Sequence, residues 1–175
     1  MALEKGDYLM VAEKVVETLL SDNGSGGIRD PNDLVVKTIE PKIRREAKLY
    51  SKYELPLIGV EVVRKREEPA PCLRMVDKIF ELELLILSRG GDREEESERV
   101  KKIASRVEFL IREQNCVDKQ FLGLSQVIDG SQGVLLSRLK STEFESRFFE
   151  DSNSKNPEVV ALVGFELIIP TNGLL

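Results

Sequence analysis

The stretch Leu55-Pro56-Leu57-Ile58-Gly59-Val60-Glu61-Val62-Val63-Arg64, followed by Met75-Val76-Asp77-Lys78-Ile79-Phe80-Glu81-Leu82-Glu83-Leu84-Leu85-Ile86-Leu87, decides the fold class. In the first segment Ile58, Val60 and Val62 alternate with other residues. In the second, Val76, Phe80, Leu82, Leu84 and Ile86 fall on one side, with Asp77, Glu81 and Glu83 on the other. Alternation with period two is the signature of strands that bury one face. Between them runs Lys65-Arg66-Glu67-Glu68-Pro69-Ala70-Pro71, a charged, proline-punctuated connection. Two adjacent strands joined in this way predict an antiparallel hairpin with a long polar tip projecting from the domain.

Working outward, the period changes from two to 3.6. Upstream, Tyr8, Val11, Ala12, Val15, Val16, Leu19 and Leu20 form the apolar stripe of an amphipathic helix. Asp7 can cap it, and Ser21-Asp22-Asn23-Gly24-Ser25-Gly26-Gly27 ends it in a loop. Leu34 to Ile39 reads as a short strand or a loop. A second, short helix is expected from Pro41 to Tyr53, with Ile43, Ala47 and Tyr50 on one face.

Downstream, Asp92 to about Gln114 is the clearest helix. Val100, Ile103, Ala104, Val107, Leu110 and Ile111 make its buried stripe. Asp92 with Glu95 has the form of a capping box, and the acidic first turn suits the helix dipole. Glu95/Arg99, Glu98/Lys102 and Glu108/Arg112 are spaced to pair at i,i+4. Extended structure is expected at Phe121–Ile128 and Val134–Leu139, around a turn at Asp129–Gly133. Residues 140–158 are polar, carry Phe144, Phe148 and Phe149, and read as a long loop excursion. Val159 to Ile169 is apolar on both faces apart from Glu166, which suits a strand in mid-sheet or against a partner. The expected fold is a single α+β domain over residues 1–175. Its antiparallel β-sheet carries the N-terminal helix and the long helix on one face, together with a long β-hairpin.

Composition limits the chemistry. The 175 residues hold 26 Lys+Arg, 31 Asp+Glu, no His and 2 Cys, for a net charge of −5. Without histidine there is no Ser-His-Asp or Cys-His machinery and no imidazole metal ligand. Ser97, Ser105 and Ser125 have neither a base nor a G-x-S-x-G elbow. Cys72 and Cys116 belong to no C-x-x-C pair and read as reduced, buried thiols. Gly90-Gly91 before a helix is reminiscent of a phosphate loop, but the carboxylates of Asp92, Glu94, Glu95 and Glu96 would repel phosphate. Asp22-Asn23-Gly24 with Asp30 lacks the spacing of a Ca²⁺ loop. Glu81 and Glu83, about 7 Å apart on one strand face, show the alternation of any half-solvated strand.

Basic residues gather at Lys42, Arg44, Arg45, Lys48 and Lys52, and again at Arg64, Lys65 and Arg66, with acidic residues interleaved and no nucleic-acid motif. The N-terminus has no apolar secretory core, and no apolar run approaches the ~18 residues of a membrane span. The expectations are therefore no catalytic residues, no cofactor, no metal and no membrane.

In the order of these segments the chain resembles the tail terminator (tail completion) proteins of long-tailed bacteriophages. The likeness lies in the helix Tyr8–Leu20, the strand entered through Leu55-Pro56-Leu57-Ile58-Gly59-Val60-Glu61-Val62, and the loop and strand Phe80–Leu87. It continues in the helix Asp92–Gln114 and the closing strand Val159–Ile169. The resemblance implies a homo-hexameric ring that caps the tail tube, stops tube-protein polymerisation and docks the head. Its partners would be its own copies, the tail tube protein and a head-completion or connector protein. DNA would be cargo through the pore, and the protein would sit in the virion tail or neck after assembly in the host cytoplasm. A mildly acidic chain suits a pore that should not grip DNA.

Interface candidates are Arg64, Lys65, Arg66, Glu67 and Glu68 at the hairpin tip and Phe144, Phe148 and Phe149 in the excursion. Three other readings stay open: a neighbouring connector or stopper protein, a cytosolic ligand-binding or regulatory domain, and an enzyme using Glu81, Glu83 and Asp77.

Overall fold

The computed structural model describes residues 7–33, 35–43, 54–69, 76–112, 136–147 and 157–171. In chain order these form α1 (Asp7–Ser21), β1 (Thr38–Glu40), β2 (Leu57–Pro69), β3 (Val76–Arg89), α2 (Arg93–Arg112), β4 (Leu136–Arg147) and β5 (Glu158–Thr171). The strands make one sheet in the order β1-β2-β3-β5-β4. Every pairing is antiparallel except β1 with β2, a parallel contact of three residues at Leu57–Gly59. The α+β class read from the sequence is therefore the class observed.

Both helices lie on one face. The stripe of α1 (Val11, Val15, Leu19) and that of α2 (Val100, Ile103, Val107, Ile111) close one core against Val60, Leu82, Leu84, Val163 and Phe165. The last strand is central, as its two apolar sides require: β5 lies between β3 and β4. The opposite face has a smaller apolar patch at one end, where Leu55, Leu57, Leu87 and Val160 are buried together.

The ends of α2 follow the sequence in part. Asp92 Oδ1 accepts the Glu94 N–H at 2.8 Å, so Asp92 is the cap. Glu108 and Arg112 pair at 3.3 Å, whereas Arg99 turns to Glu96 at 2.7 Å instead of Glu95. Glu96 is buried because the chain folds back over it: Ser88 Oγ donates to its carboxylate, and Gly90 leaves the space it occupies.

The loop after α1 is built around two carboxylates. Asp22 receives Arg106 of α2 through both nitrogens at 2.7 and 2.9 Å, and the Ile28 N–H at 2.9 Å. Burial alone would raise its carboxyl, but the Arg106 hydrogen bonds and charge, with the Ile28 N–H, outweigh burial and hold it below the ordinary carboxylate value. Asp30 is also held low, by the backbone N–H groups of Asn32 and Gly26. Gly26 adopts the left-handed φ of 73° that this turn needs. Asp22 and Asp30 thus act as structural acceptors within the turn.

Two boundaries differ from the sequence reading. Lys65–Pro69 is not the hairpin connection but the outer part of β2, paired residue for residue with Val76–Phe80. Charged residues and a terminal proline suit a strand with one open edge as well as they suit a loop. Likewise Lys140–Arg147 is not excursion but most of β4, paired to β5 from Gly164 to Glu158. A bulge at Lys140 breaks the alternation that would have revealed it. Of the stretch Leu34–Ile39, Thr38 and Ile39 lie in β1, residues 35–37 are irregular, and Leu34 lies outside the described residues. Residues 41–43 are not helical, and the rest of the expected second helix, the Phe121–Ile128 strand, its turn, and Phe148 and Phe149 lie outside the described residues.

Candidate functional site

Cross-strand pairing puts Arg138, Glu166, Glu81 and Arg64 in one row across β4, β5, β3 and β2. Paired residues in a sheet point to the same side. Glu81 alternates with the core residues Phe80 and Leu82, so the row faces away from the helices. A bulge between Val62 and Arg64 on β2, and another at Lys140 on β4, break the regular pairing on either side of this row.

Between the two bulges lies a groove of about 340 Å³, lined among others by Val63, Arg66, Glu81, Glu83, Lys140 and Glu166. Its floor is Gly164, whose missing side chain leaves Ser141 Oγ close to the β5 backbone. Glu166 is only 3% exposed, and both its oxygens are engaged. Arg66 reaches Oε1 at 3.0 Å from across β3, and Lys140 reaches Oε2 at 2.8 Å from the neighbouring strand. Arg66 also approaches Glu81 at 3.7 Å and Glu68 at 3.4 Å. A buried carboxylate needs such company, because an unpaired charge out of water is costly. The network ties all four long strands together at the end opposite the Leu57–Leu87–Val160 patch.

Of the groove's carboxylates, Glu166 is paired with Arg66 and Lys140, and Glu81 lies 3.7 Å from Arg66. Among the described residues no group of three His, Cys, Asp or Glu is placed to hold a metal ion, and no helix is long and apolar enough to cross a membrane.

The sequence-derived candidates separate into two sets. Arg64, Lys65, Arg66, Glu67 and Glu68 run along β2, where Lys65 pairs with Glu67 at 3.1 Å and lies 5.9 Å from the Phe80 ring centre. Phe144 is on β4, opposite Ala161, and is 50% exposed. The sheet places these two sets toward its opposite edges. Glu81 and Glu83 do share a face, as expected, but as members of the charged groove. Sequence reasoning missed Glu166 and Lys140 as a pair. The only signal was a lone glutamate in an otherwise apolar strand, which demands a cation partner.

No protein-family model matches the chain, and no curated protein matches it. Among solved structures it is similar to a chain of the virion of a native gene transfer agent (GTA) particle, at 10% sequence identity and a TM-score of 0.49, covering 94% of this chain and 96% of that one.

Proposed function

We propose that the protein is a structural component of a phage-type virion: a tail terminator that caps the tail tube as a ring of about six copies, ends tube polymerisation and offers a docking surface to the head or neck. The observation that carries this reading is the order of elements. An opening helix, a strand entered through Leu55-Pro56, a long antiparallel hairpin, a second helix and a closing strand follow one another as they do in the family the sequence resembles. The groove is compatible with it from the side of chemistry, since Glu166, Arg66 and Lys140 form an ion network that holds the strands to one another. Partners in this reading are further copies of the chain, a tail tube protein and a head-completion or connector protein, with DNA passing through the pore and the protein residing in the finished particle.

Negative-stain imaging with mass photometry of the purified protein tests it. The expected result is a ring with a central hole that binds the ends of tail tubes. A strict monomer indifferent to tubes overturns the reading. Rings that bind DNA-filled heads in preference to tubes move the assignment to a connector or stopper.

A further inference from the structure

Among the described residues the sheet ends in two unlike edges. On one side β4 is the last strand, and Arg138, Lys140, Ser141, Glu143, Phe144, Glu145 and Ser146 are all exposed along it. On the other side β1 covers β2 only at Leu57–Gly59, so among the described residues no strand neighbours the outer edge of β2 from Val60 to Pro69. Open strand edges present rows of backbone donors and acceptors that pair readily with another strand. We infer that copies of this chain join head to tail by strand addition, with Ser141–Glu145 of one copy pairing antiparallel with Arg64–Glu68 of the next. The inference rests on the ring reading above and names the surfaces that would make the ring.

Three features select this partner. The first is direction. The long strands run alternately through β2, β3, β5 and β4, every junction being antiparallel. The next copy's β2 is therefore antiparallel to β4, and the alternation continues unbroken from copy to copy. An interface between two different edges is heterologous, the kind that closes into rings.

The second is charge in register. On the helix-free face, Glu143 and Glu145 belong to β4, while Arg64, Arg66 and Glu68 belong to β2. Lys65 and Phe144 both lie on the helix side, opposite Phe80 and Ala161. Pairing Glu145 with Arg64 sets Glu143 against Arg66, and Phe144 against Lys65, with each side chain on its proper face. Opposite charges directly across strands are favourable and like charges are not. A join without slip would instead set Arg138 against Arg64, since the two share one row. The complementary register is displaced by six ladder positions, about 20 Å at ~3.3 Å per residue. Stagger between strands is what closing a sheet on itself requires.

The third is the position of the bulges. Bulges and prolines usually protect an edge from unwanted pairing. Here Val63 precedes Arg64 and Lys140 precedes Ser141, so each bulge stands just outside a five-residue window of regular strand. They limit pairing to those windows without interrupting them.

Charge reversal at the outermost pair tests the register, because Arg64 and Glu145 are both exposed and stand outside the Glu166 network. Arg64→Glu and Glu145→Arg are made singly and together, and assembly is followed by mass photometry across a dilution series, with circular dichroism as the check on folding. Each single change is expected to raise the concentration needed for assembly by about tenfold or more, and the double reversal to bring it back to within about threefold of the parent. As a second measurement, Arg64→Cys with Glu145→Cys, in a chain whose Cys72 and Cys116 are replaced by Ser, is expected to give an oxidised ladder of linked copies that neither single cysteine gives. Rings unaffected by the reversals and without a ladder overturn the pairing while leaving the ring reading intact. A parent chain that is monomeric at every concentration overturns both. A species limited to two copies, tolerant of Arg64→Glu but lost with Glu145→Arg, overturns head-to-tail joining in favour of β4 pairing with itself.

Discussion

The two faces of the sheet are held by different physics. On the helix side, α1 and α2 bury a continuous apolar layer around Phe80, Leu84 and Phe165, where position is set by volume and any aliphatic group of the right size contributes. On the other side the central strands are joined by Glu166, Arg66 and Lys140, where position is set by the geometry of three charges. The first kind of bonding is non-directional and cares little about which strand a residue comes from. The second specifies a single arrangement of β2, β5 and β4, and fails as a unit when one member is lost. The helix side supplies stability; the charged side fixes how the outer strands lie and hence what the edges present.

That contrast can be broken most severely from the helix side. Phe165→Ala, at a site 1% exposed, is expected to cost about 3–5 kcal/mol in a denaturant titration. A loss below about 1 kcal/mol would show that this layer is not the main source of stability. Glu166→Gln tests the other side. It leaves Arg66 and Lys140 without their carboxylate, but both cations are more than a third exposed and water recovers part of the loss. A cost of about 1–3 kcal/mol is expected, and replacing all three with apolar residues (Glu166→Leu, Arg66→Met, Lys140→Met) should recover most of it. If the triple change were the worse one, the network would contribute net stability rather than arrangement.

The smallest effect sharpens the comparison at the rim of the helix side, where a charge pair also appears. Asp22 is held below the ordinary carboxylate value in the fold, so its contribution is fully present above the pH at which an unfolded carboxylate titrates, about 4, and is lost as pH falls through the lower folded value. Arg106→Ala is expected to lower stability by about 1–2 kcal/mol at neutral pH and to flatten the acid side of the stability curve. An acid limb as steep as that of the parent would show that other carboxylates set it.

Most of what lies on the helix side was legible in the sequence, because burying one face imposes a period. The stripe of α2, the alternation of Phe80, Leu82, Leu84 and Ile86, and the two apolar sides of β5 all report burial directly. The other side left almost no trace. Lys65–Pro69 and Lys140–Arg147 are strands by virtue of what they pair with, and an edge strand with two wet faces has no hydrophobic period to show. The bulge at Lys140 then shifts whatever period remains. Arg66 and Glu166 are 100 residues apart, and they meet only because β5 inserts between β3 and β4. Such an order depends on the competition among all possible strand pairings, which no single segment encodes.

The short strand β1 has a consequence for any chain that docks beside it. It reaches only Leu57–Gly59, and the chain that leaves it passes tight against Gly59, which has no side chain: a Cβ at that position would stand 2.6 Å from the Lys42 carbonyl oxygen. A strand sliding along the outer edge of β2 can therefore travel outward toward Pro69 but is arrested inward at Val60. The three-residue strand works as a mechanical end-stop inward of the bulge at Val63, giving the edge a zero mark from which distance is counted.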